Sequence, residues 1–161
     1  MRSLSRRKAF LLAVAIAGTL DLSYAILFSG YHGVPALRIC QAVASGLLGK
    51  AAFDGGVPVA ALGVALHYAI MSGAAGAYAW ASGIVPVLAR RPIPCGMVFG
   101  LAMYAVMNFV VLPLSAFPFP FRFSLDLFVA DLLVHMFFVG VPIALLAGKP
   151  RQAATQRLQT V

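Results

Sequence analysis

Glutamate is absent from this chain of 161 residues, so its four acidic residues are all aspartate. Charged residues of both signs make up only 10%, against roughly 25% in a typical soluble domain. A soluble fold of this size could not bury an apolar fraction of 62%, because roughly 30% of the surface of such a chain stays in water. There are two cysteines, Cys40 and Cys95. In the topology derived below they fall on opposite sides of a membrane, so no bridge joins them, and both read as small buried apolar residues. Nucleophile elbows of the form Gly-x-Ser-x-Gly, zinc-protease His-Glu-x-x-His motifs and phosphate-binding loops are all missing, which removes the common enzymatic signatures. No catalytic residue and no cofactor is expected.

What the chain does contain is long apolar runs. Mean hydropathy is +0.96. Four stretches, about 9–29, 57–83, 95–116 and 125–147, each hold the roughly twenty residues that ~30 Å of hydrocarbon requires. The fold class expected is all-α, an integral membrane protein of four transmembrane helices forming a single domain over residues 1–161. The segment 34–53 is different. Arg38, Gln41 and Ser45 form a polar stripe on one helical face, and Gly46 and Gly49 weaken the helix. An interfacial or re-entrant helix is the expectation there. The basic start and the Ala15-Ile16-Ala17 triplet have the look of a cleavable signal, but the apolar run continues past them to Phe28, which favours a retained span.

The net charge is +8. No basic run is long or interleaved with aromatics, so nucleic acid is not an expected partner. The basic residues instead flank the apolar runs. With four spans and an inside N-terminus, nine lie inside: Arg2, Arg6, Arg7, Lys8, Arg90, Arg91, Lys149, Arg151 and Arg157. Three lie outside: Arg38, Lys50 and Arg122. A fifth span would reduce this to six against six, so the positive-inside rule selects four, with both termini and the tail 149–161 cytoplasmic. The expected partners are the lipid bilayer and, for protein contacts, a second copy or another membrane protein.

Rows of small residues at every fourth position predict which faces pack, since helices in lipid associate through close approach. One row is Ala9, Ala13, Ala17, Asp21, Ala25 and Ser29. A second is Ala61, Ala65, Ala69, Gly73, Ala77 and Ala81, opposite a face of His67, Met71, Ala74 and Tyr78. The third span opens with Gly96 and Gly100, whose row continues to Tyr104 and Asn108.

Ionisable groups inside a span cost at least ~2.5–3.5 kcal/mol at the helix centre, which makes them functional candidates. Here they are Asp21, His67, Asp131 and His135, with Asn108 as a polar addition. All five fall about 9–15 Å below the outer surface at 1.5 Å per residue. Asp131 and His135 are i, i+4 neighbours on one face. The bland alternative is that each is a helix fastener: Asp131 with His135 as a local pair, and Asn108 capping a carbonyl freed in a neighbouring helix by Pro113 or Pro142. No ligand pair has a recognised metal-site spacing, so no metal site is expected. Asp126 reads as a first-turn carboxylate behind a Ser124 N-cap, and His32 and Arg122 as solvated residues near the outer interface.

The run 100–115, with Tyr104, Met107-Asn108 and Pro113-Leu114-Ser115, resembles part of a group of small uncharacterised bacterial inner-membrane proteins, the YagU-like group. A following helix with His135, Gly140 and Pro142, and the segment 41–49, are similar to it as well. The resemblance implies a bacterial inner membrane and carries no activity. The expected function is a scaffold or accessory role. The alternative is a proton- or cation-linked transport or channel component using the polar layer.

Overall fold

The computed structural model describes residues 5–119 and 125–148. The expected Ser124 cap, Arg122 and the tail 149–161 lie outside them, as does the side chain of Asp126. The described residues are helical and joined by short turns. In order they are α1 (Arg6–Tyr31), α2 (Ala36–Leu48), a 3₁₀ turn (Gly49–Asp54), α3 (Gly56–Ile84), the short α4 (Pro86–Arg90), α5 (Pro92–Val106), a π turn (Met107–Val111), α6 (Leu112–Leu114), α7 (Leu125–Val134), a second π turn (His135–Gly140) and α8 (Val141–Ala147). Four helices are long and apolar enough to cross a membrane: Arg6–Tyr31, Gly56–Ile84, Pro92–Leu114 and Leu127–Ala147.

Helix α1 starts one turn before its apolar run because Ser5, in extended backbone, accepts a hydrogen bond from the Lys8 amide, as an N-cap serine does. The third and fourth long helices share another device. Pro113 and Pro142 lack an N–H, and each ring crowds the carbonyl four residues back. One turn before each proline the helix widens: the Leu112 N–H reaches the Met107 carbonyl and the Val141 N–H reaches that of Met136, five residues back. Such π turns absorb a misfit without breaking the helix.

The long helices alternate in direction. Val14 and Ala17 of α1 pack with Met71, Ala74, Ala75 and Tyr78 of α3 and with Val139, Ile143 and Ala144 of the fourth long helix, forming the core. Phe10, Leu146 and Ala147 line one pocket beside that core, so the beginning of α1 and the end of α8 lie together. At the opposite end α2 crosses the start of α3. A Cβ on Gly63 would collide with the carbonyl of Cys40, and the Ala116 amide donates to the Gly46 carbonyl at 2.8 Å. The tightest crossing joins the third and fourth long helices. A Cβ on Gly100 would collide with the His135 carbonyl, and one on Gly140 with the Gly96 carbonyl.

One expectation is corrected. The row Ala61, Ala65, Ala69, Gly73 and Ala77 on α3 faces outward, and a Cβ on Gly73 meets no described atom within 4 Å. The packed face is the opposite one, His67, Met71, Ala74 and Tyr78, each buried. Small residues permit close approach but do not demand it. His67 and Tyr78 carry polar groups that need partners away from an apolar surround, and that demand turns α3 inward. Tyr78 gives its hydroxyl proton to the Leu88 carbonyl of α4 at 3.0 Å.

Helix α2 lies in the segment expected to be interfacial or re-entrant. Its 13 residues reach about 20 Å, short of a ~30 Å core. Most of its polar stripe packs inward. Gln41 and Ser45 are buried, Gln41 donating to the Gly56 carbonyl at 3.1 Å and Ser45 to that of Ala42 at 2.7 Å. Arg38 alone of the stripe is exposed, over the Phe53 ring at 5.2 Å. The outward side of α2 carries Leu37, Leu47 and Leu48.

Candidate functional site

Each of the five candidate residues has a described position. His67 projects from α3 to α1, where its Nε2–H donates to the Gly18 carbonyl at 2.9 Å. One residue along, the Tyr68 hydroxyl shares a 2.8 Å hydrogen bond with Thr19. Gly18 makes this crossing possible, since a Cβ there would press on the Tyr68 ring at 2.7 Å.

His135 opens the second π turn, and its Nδ1–H donates to the backbone carbonyl of Asp131 at 2.8 Å. The i, i+4 spacing therefore joins the ring to the backbone of Asp131 and not to its carboxylate. Its Nε2 meets no hydrogen-bonding partner among the described residues. The carboxylate takes a different partner: Tyr24 of α1 donates to Asp131 Oδ1 at 3.3 Å. Asp21, one turn before Tyr24, makes no hydrogen bond to a described group and lies within electrostatic reach of His135 and His67. Asp131 is likewise within reach of His135 and Asp21.

Three of the five candidates, Asp21, Asp131 and His135, thus gather between α1 and the fourth long helix. Asn108 stands apart. It lies in the first π turn, and its side-chain amide donates to the Tyr104 carbonyl of its own helix at 3.0 Å. Among the described residues it caps no neighbouring helix.

The gathering has a shape. Beyond the core, α1 and α7 diverge, leaving an open cleft of about 680 Å³. Asp21, Asp131 and His135 line it together with Tyr24, Phe28 and His32. His67 does not line it but backs Asp21 from the α3 side. Along the α1 wall the rings of Tyr24 and Phe28 stack at 5.4 Å between centroids, and Phe28 and His32 lie 4.8 Å apart. The exposed His32, its Nδ1–H on the Phe28 carbonyl at 2.9 Å, stands at the rim.

No protein-family model, curated protein or solved structure matches this chain. The site is therefore read from its own chemistry. Among the described residues no three His, Cys, Asp or Glu side chains are grouped so as to hold a metal ion. The cleft instead presents two carboxyl groups and the Nε2 atoms of His135 and His32, and its tyrosine proton is already given to Asp131. Sequence reasoning missed Tyr24 and left His32 as a solvated bystander. The available signal was the aromatic spacing Tyr24, Phe28, His32 at every fourth position, on the same α1 face as Ser29 and close to Asp21.

Proposed function

We propose that this is a multi-pass protein of the bacterial inner membrane, with both termini cytoplasmic, whose cleft between the first and fourth spans is a cation site serving cation- or proton-linked transport. Four apolar helices support the membrane placement, together with large exposed side chains such as Leu27, Val98, Phe109 and Leu114. Tyr31 and Trp80, both largely exposed near opposite ends of the long helices, suit the two interfacial belts. The nine-to-three charge bias and the likeness to YagU-like proteins support the orientation and the compartment.

One observation carries the functional reading. Asp21 and Asp131, far apart in sequence, line one cleft with a histidine whose Nε2 is uncommitted. A fastening role alone would place each carboxylate against a fixed donor, as Asp131 has in Tyr24, whereas Asp21 has none.

Reconstitution tests this. Proteoliposomes carrying the wild-type chain should show cation or proton flux, read with potential- and pH-sensitive dyes, and Asp21→Asn and Asp131→Asn should silence it while the protein stays folded. Wild-type liposomes indistinguishable from empty ones would leave the scaffold or accessory role as the reading.

A further inference from the structure

The polar cleft also has an apolar wall, and the two together specify a chemical class. The floor offers the carboxylates of Asp21 and Asp131 and the Nε2 of His135. Asp21 is hydrogen-bonded to no described group, and no described group donates to His135 Nε2. A ligand that satisfies these groups brings positive charge and several N–H donors. A transition-metal ion suits the cleft poorly, because no three His, Cys, Asp or Glu side chains among the described residues are grouped to hold one. Beside the floor lie the stacked rings of Tyr24 and Phe28 and the aliphatic side chains of Val34, Leu127 and Val134. These suit a hydrocarbon or aromatic body and, through their ring faces, an adjacent positive charge. The volume of about 680 Å³ falls within the roughly 300–1,000 Å³ of small-molecule sites.

We infer that the cleft binds lipophilic amines, with the ammonium group at the acidic floor that Asp21 and Asp131 contribute and the apolar body against the Tyr24–Phe28 stack. The inference rests on the cation-site reading and narrows its ligand to a class.

The probe is dansylcadaverine, a primary amine whose fluorescence reports its surroundings, added to the full chain in detergent micelles. Non-fluorescent hexylamine serves as competitor and hexanol as its neutral counterpart. Saturable binding is expected, reversed by hexylamine and unaffected by hexanol. Asp21→Asn and Asp131→Asn should each weaken binding by about tenfold or more, the loss of one charge-assisted contact. Phe28→Ala should weaken dansylcadaverine more than hexylamine, since only the former has a ring to stack. Displacement by hexanol as effective as by hexylamine would overturn the inference, because it would show mere apolar partition. So would unchanged affinity in the folded double variant. If an Asn variant does not fold, the hexylamine-against-hexanol comparison on the wild type still decides. Absence of amine binding alongside aspartate-dependent flux of sodium or protons in proteoliposomes would remove the amine and leave the cation-site reading standing. Absence of both would remove both.

Discussion

At the scale of single residues, the polar groups divide by what their hydrogen bonds accomplish. His67 joins two helices through the Gly18 carbonyl, so its contribution is structural as well as electrostatic. Asp21 joins nothing. The two therefore respond oppositely to substitution. His67→Ala removes a buried interhelical bond and leaves a void in the core, and it should lower stability by about 1–3 kcal/mol. Asp21→Asn, on an open cleft, should change stability by less than about 0.5 kcal/mol. Thermal unfolding of both variants in detergent checks the contrast. Equal losses would mean that Asp21 is itself a fastener. The candidates were legible in the sequence because an ionisable residue inside an apolar run stands out by itself. Their partners were not. Tyr24 bonds Asp131 across 107 positions, and such a pairing depends on helix placement that no local pattern encodes.

At the scale of elements, glycine spacing proved informative only where a neighbouring backbone meets it. Gly96 and Gly100 face Gly140 and the His135 carbonyl, and the π turn places that carbonyl against the groove. Gly73 belongs to an equally regular row and faces outward. Gly100→Leu or Gly140→Leu should therefore prevent a stable fold or cost several kcal/mol, because backbone and not a flexible side chain occupies the space. Gly73→Leu should be tolerated, with an unfolding midpoint within a few degrees of the wild type. Size-exclusion profiles and unfolding midpoints in detergent decide this. A Gly73→Leu as damaging as Gly100→Leu would mean that the outer face of α3 is packed in the intact protein. Periodicity located both rows, yet it could not say which row is covered. The choice was made by the buried polar groups of His67 and Tyr78 on the other side of α3. The same limit explains α2, whose polar stripe was visible as a stripe while its direction depended on the Gly56 carbonyl and on the fit of Gly63 beneath Cys40.

At the scale of the whole molecule, four long helices of alternating direction put the start of α1 beside the end of α8 and open a polar cleft at the opposite end. In the proposed membrane placement this puts the cleft toward the side away from the start of α1 and the end of α8. Cysteine labelling tests it most directly, in a chain carrying Cys40→Ala and Cys95→Ala so that no native thiol interferes. A membrane-impermeant methanethiosulfonate reagent, which reacts with hydrated thiolates, is applied to intact cells and then to permeabilised ones. The account predicts that Phe119→Cys and Asp131→Cys are labelled in intact cells, that Gln156→Cys is labelled only after permeabilisation, and that the buried Met71→Cys is labelled in neither. An Asp131→Cys that stays unreactive while Phe119→Cys reacts would show a closed, dry contact in place of a cleft, and labelling of Gln156→Cys in intact cells would contradict the four-span orientation.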